Sequence, residues 1–140
     1  MKGGYLPKDD SDNPVEKFQT QFLRLLEEIG EASHELRRGN QSNFEMELGD
    51  VLVLEANCTY IVNLSFNNDA AMKLIDAKPL IRNVIRVASD VFGCNYEAKR
   101  KDCLTLAYNK IKNRGGVLIN GDYFKPGDAE YEKYMKIHKI

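Results

Sequence analysis

The sequence predicts an all-α protein: an antiparallel helical bundle with a short C-terminal hairpin or loop and a final short helix. Three observations predict it. Apolar residues recur at spacings of three and four along most of the chain, capping residues and glycines punctuate those runs, and only Val117–Phe124 shifts to the period of short strands. At 140 residues, 43% hydrophobic and 29% charged, the chain has the length of one domain and the composition of a globular one.

Asn13-Pro14-Val15-Glu16 supplies an N-cap, a proline at the first helical position and an acid three residues after the cap, so the first helix starts there. Its apolar stripe is Phe18, Phe22, Leu25, Ile29, Ala32 and Leu36, and Arg37-Arg38-Gly39 stops it. Ser42 followed by Glu45 reads as a capping box opening a second helix, which runs to about Leu64 before Asn67-Asn68. The link around Gly39-Asn40-Gln41 is too short for anything but an antiparallel pair.

Asp69–Ala77 reads as a short helix, with Pro79 opening a fresh one that ends at Gly93. A further helix spans roughly Tyr96–Arg114, with Tyr96, Cys103, Ala107 and Ile111 inward, and stops at Gly115-Gly116. Val117-Leu118-Ile119 and Asp122-Tyr123-Phe124 flank an Asn120-Gly121 turn, and Asp128 caps a last helix to about His138. The expected organisation is a flexible leader at 1–12, a helical domain at 13–125 and a helical tail at 126–140.

Twenty basic against 21 acidic residues leave a net charge of −1, which excludes a basic nucleic-acid footprint. Val51–Phe66, the most apolar window, is interrupted by Glu55, Asn57 and Asn63 and is too short for a membrane span. Cys58, Cys94 and Cys103 lack the number and spacing of a disulfide framework or zinc site and read as reduced thiols. The first 13 residues lack the apolar core of a signal peptide, so the expected location is cytoplasmic.

Chemistry points to two acid clusters. At about 100° per residue, Glu28 and Glu31 lie about 60° apart on the first helix and Glu35 returns to within roughly 20° of Glu28. Glu47 and Asp50 pair likewise on the second, with Asn57 within about 20° of Asp50. A single Glu-x-x-Glu is ordinarily a solvated helix face. Two pairs on adjacent helices, bordering the core, are different. Carboxylates about 4 Å apart repel by roughly 4 kcal/mol at an effective dielectric of about 20, so four converging acids require a cation. All-oxygen ligation suits Mg²⁺, with Mn²⁺ as substitute, rather than Zn²⁺.

Other polar candidates carry ordinary explanations. Glu31-x-x-His34 has no second copy, so His34 reads as a surface residue rather than an iron ligand. Glu27 is a secondary acid, Glu35 extends the stripe, and Glu55 points away from Asp50, a partly buried acid seeking a partner, expected at a subunit contact. Phe18, Phe22 and Tyr60 could stack a base, but aromatics at this spacing are more often core.

Glu28-Ile29-Gly30-Glu31, then fifteen residues, then Glu47-Leu48-Gly49-Asp50-Val51-Leu52 resembles the paired acidic motifs of the MazG-like all-α nucleoside triphosphate pyrophosphohydrolases. Ala107–Gly116 and Ile119-Asn120-Gly121 resemble the end of the last core helix in phage and bacterial members, and the likeness covers roughly Phe18–Lys125. The resemblance implies a homodimer or homotetramer that hydrolyses a (deoxy)nucleoside triphosphate to monophosphate and pyrophosphate with Mg²⁺. Glu28, Glu31, Glu47 and Asp50 then correspond to the metal-binding acids, and Glu28 and Glu31 to the residues that orient or deprotonate the attacking water. Triphosphate oxygens need cationic or amide donors, for which the polar face of the last long helix offers Asn109, Lys112 and Arg114. The alternative is a non-catalytic helical interaction module with acidic faces.

Overall fold

The structure, a computed structural model, describes residues 13–113, 117–119, 122–124 and 126–137. The predicted leader, the Asn120-Gly121 turn, Arg114 and His138 lie outside them. Among the described residues, five helices and one hairpin follow in order: α1 (Pro14–Arg38), α2 (Gln41–Ser65), α3 (Asn68–Phe92), α4 (Arg100–Asn113), β1 (Val117–Ile119), β2 (Asp122–Phe124) and α5 (Ala129–Ile137). The all-α class is as the sequence predicts.

The chain divides into two compact units, Pro14–Ala107 and one containing Tyr108–Ile140. In the second unit β1 and β2 pair antiparallel, with Val117 opposite Phe124 and Ile119 opposite Asp122. The backbone amide of Glu132 donates to the Asp128 carbonyl as α5 begins.

The first unit is built on α1 and α2. Phe18, Leu25, Ala32 and Leu36 form the buried stripe of α1, while Phe22 and Ile29 pack partly buried against the same core. Gly39 takes a left-handed φ of 73° to end α1, and the chain turns through Asn40 straight into α2. Asn40, not Ser42, caps that helix: its Oδ1 accepts the Asn43 amide at 3.1 Å. The expected capping box is not used because Glu45 is committed elsewhere, accepting the Tyr96 hydroxyl at 2.7 Å.

Val51, Leu52, Val53 and Leu54 are all buried, so α2 is covered on several sides, as an apolar run without helical periodicity requires. Phe66 ends it in a left-handed conformation, and the Asn67 side chain caps α3 by accepting the Ala70 amide at 2.9 Å. The largest departure follows. α3 is one continuous helix with Pro79 inside it, where the sequence predicts a break. Pro79 is exposed, its neighbours Ala77 and Ile81 are buried on the opposite face, and tertiary packing carries the helix through.

Gly93 terminates α3 at φ 69°, and the chain crosses to α4 by way of Tyr96, whose ring is fully buried against Phe44 and Phe92. α4 begins at Arg100 rather than near Tyr96, since Tyr96 is held in this connection by its hydroxyl bond and by its amide donating to Ser89 Oγ at 3.1 Å. Cys58, Cys94 and Cys103 are free thiols. Among the described residues, no helix is long and apolar enough to cross a membrane.

Candidate metal centre

The two-residue link between α1 and α2 makes them antiparallel neighbours, and a polar seam runs along their contact. Seven residues are nearly two helical turns, so Gln21 and Glu28 share a face of α1, and Asp50 and Asn57 share a face of α2. Asn57 Nδ2 donates to Gln21 Oε1 at 3.2 Å, which sets the register at one end. Seven residues forward on α1 and seven back on α2, Glu28 stands at the level of Asp50.

There Glu28, Glu47 and Asp50, all half-buried, present carboxylate oxygens within 4.8 Å of one another. Oε1 of Glu28 is buried without a hydrogen-bond partner. Glu28 and Glu47 are placed so that a side-chain hydrogen bond can join them when one of the two carboxyls carries a proton. Burial, that hydrogen bond, and the charges of Asp50, Glu47 and Glu31 together push the Glu28 carboxyl up to about 8. The donor set therefore fits a hard divalent cation: oxygen only, converging, and protonated where no cation compensates the charge.

Glu31, the fourth sequence candidate, is exposed one turn further along α1, and it bears on the cluster through its charge on Glu28. Glu35, another turn on, buries an Oε1 that likewise lacks a hydrogen-bond partner. Asn109 and Lys112 are exposed on the last turns of α4 and belong to the unit containing Tyr108–Ile140, a different unit from the one that holds the acids. Arg114 lies outside the described residues.

His34 is exposed beside Arg37, as expected of a surface residue. Phe18 stacks on Phe22, with ring centroids 5.2 Å apart, and is buried in the core rather than open to a base; Tyr60 is exposed. Glu55 has partners within the chain: Lys78 Nζ on α3 lies 3.0 Å away and Arg100 at the start of α4 lies 3.8 Å away. Sequence reasoning passed over Gln21, the buried polar side chain among the described residues, at 1% exposure. Its heptad spacing to Glu28 was the available signal.

An all-α domain with a cation-competent acid cluster between two helices is the class that fold and site define. The family model of the MazG nucleotide pyrophosphohydrolase domain matches residues 16–79, which include Glu28, Glu31, Glu47 and Asp50. The matched segment is the one whose paired acidic motifs resemble that family, and the match points to nucleotide pyrophosphohydrolysis. No curated protein and no solved structure matches the chain.

Proposed function

We propose that this protein is a Mg²⁺-dependent nucleoside triphosphate pyrophosphohydrolase, converting a (d)NTP and water to (d)NMP and pyrophosphate. The observation that carries the proposal is the convergence of Glu28, Glu47 and Asp50 from two helices within 4.8 Å, inside the segment that matches the MazG domain. Water oxygen bonds to the α-phosphorus, the bond from that phosphorus to the bridging oxygen breaks, and pyrophosphate leaves with the electron pair.

Glu28, Glu31, Glu47 and Asp50 would hold the ion, with Mn²⁺ as substitute. When bound, the ion neutralises triphosphate charge and lowers the pKa of water. The acids of α1, Glu28 and Glu31, orient the attacking water and take its proton. Burial and the neighbouring acids push the Glu28 carboxyl up to about 8, which would suit it to taking that proton. Asn109, Lys112 and Arg114 are assigned to the phosphates on their donor chemistry alone.

A homodimer or homotetramer is the proposed assembly. Large apolar side chains at Leu64, Phe66, Met72 and Ile75 are exposed, Phe66 to 87%, and a second copy would cover them.

The test is a panel of NTPs and dNTPs with Mg²⁺ in H₂¹⁸O, read by pyrophosphate release and by the position of the label. Attack at the α-phosphorus puts ¹⁸O in the nucleoside monophosphate. Label in the pyrophosphate, or no cleavage of any triphosphate, defeats the proposal.

A further inference from the structure

We infer that Gln21 and Asn57 are positioning residues for the acid cluster, an assignment that rests on the metal-dependent reading above. Gln21 is 1% exposed in a core otherwise made of apolar side chains, including Phe18, Leu25 and Cys58. Its Oε1 accepts Asn57 Nδ2 at 3.2 Å, a bond between α1 and α2.

Apolar side chains alone hold two helices together without choosing strictly between registers, because leucine-like surfaces tolerate sliding by a turn. A buried amide pair does choose. Any slip that separates Gln21 from Asn57 leaves a desolvated amide inside the core, so the aligned register is the one the pair stabilises. That register matters two turns away. Because Gln21 and Glu28 are seven residues apart on α1, and Asn57 and Asp50 seven apart on α2, the bond that aligns the first members aligns the second. The α1–α2 turn fixes the far end of the seam through Gly39 and the Asn40 cap. Glu28, Glu47 and Asp50 therefore sit between two register-setting devices, and convergence of mutually repelling carboxylates requires both.

The test is direct Mn²⁺ binding to the whole chain, followed by electron paramagnetic resonance, alongside thermal unfolding without metal. Gln21→Leu with Asn57→Leu replaces the amide pair by apolar groups of similar size. The pair of leucines keeps the metal-free melting temperature within a few degrees of wild type, while Mn²⁺ affinity falls about tenfold or more, the range typical of residues that support ligands. Asn57→Ala, which deletes the donor at a half-buried position, lowers affinity in the same direction and serves if the leucine pair does not fold. Wild-type affinity in either folded variant overturns the positioning role and leaves the metal site standing. Absence of Mn²⁺ binding by wild type overturns both.

Discussion

Gly49 of α2 packs directly against the backbone of Cys103 on α4, so closely that a methyl group on Gly49 would collide with the Cys103 carbonyl oxygen and press on the Ala107 methyl. The glycine sits between Leu48 and Asp50, so the close approach of α4 braces the turn that carries two of the three clustered acids. Gly30 occupies the equivalent place between Ile29 and Glu31 on α1, yet a methyl there meets nothing. Opposite outcomes follow for the same substitution. Gly49→Ala costs about 1–3 kcal/mol because neither backbone nor a buried methyl can move aside cheaply, whereas Gly30→Ala gains about 0.5–1 kcal/mol from helix propensity. Thermal unfolding of the two variants checks this, and a loss at Gly30 would show the site to be covered by something.

Metal-free stability falls as pH rises from about 4.5 to about 8. Glu28 holds its proton to about 8 in the folded chain against 4.5 as its ordinary value, so between those limits the native state binds more protons than the unfolded one. The penalty is absent below 4.5, grows through the window and is constant above 8. Its slope is a fraction of the about 1.4 kcal/mol per pH unit of a dry site, because Glu28 is only half-buried. Glu28→Gln removes the proton exchange. Denaturant unfolding in chelator from pH 5 to 8.5 should show a flatter profile for this variant than for wild type, and superimposable profiles refute the assignment.

Saturating Mg²⁺ or Mn²⁺ reverses that penalty and raises the melting temperature. At 100 times its dissociation constant a ligand confined to the native state adds about 2.7 kcal/mol, several degrees for a chain of this size. Glu47→Gln removes a charge and an anionic oxygen ligand while keeping the side chain's size, so its unfolding curve should shift little with metal. Equal shifts in wild type and variant would place the ion elsewhere.

The helices of the first unit were legible where burial follows one stripe. Phe18, Leu25, Ala32 and Leu36 give α1 a periodicity that no tertiary contact had to override. The pairing of the Glu28 and Glu47 motifs was legible for the same reason, since a two-residue link leaves two helices one arrangement. What escaped depended on partners distant in sequence. Glu45 reads as half of a capping box until Tyr96, 51 residues on, claims its carboxylate. Glu55 reads as an acid without a partner until α3 brings Lys78 to it. Gln21 carries no local sign of burial, and its bond to Asn57 joins residues 36 positions apart. Local signals cannot report such competition, because the rival group enters only through the fold.

Pro79 shows the same limit in energetic form. A proline inside a helix deletes an amide donor and crowds the carbonyl four residues back, at a cost of about 3 kcal/mol in an unsupported helix, and it disfavours helical geometry at the residue before it. That residue is Lys78, whose ammonium is tied to Glu55, itself only 16% exposed at the side chain. The ion pair and the buried Ala77 and Ile81 flanking the proline hold α3 in one piece. Pro79→Ala restores the amide at an exposed position and should raise the melting temperature by several degrees, reflecting about 1–3 kcal/mol. Lys78→Met should do the reverse, since it strands a mostly buried carboxylate beside a more distant Arg100 and releases the pre-proline residue. The double variant discriminates. If Lys78 acts partly by constraining the proline turn, Lys78→Met costs less in the Pro79→Ala background than in wild type; equal costs in the two backgrounds would confine its role to the charge of Glu55.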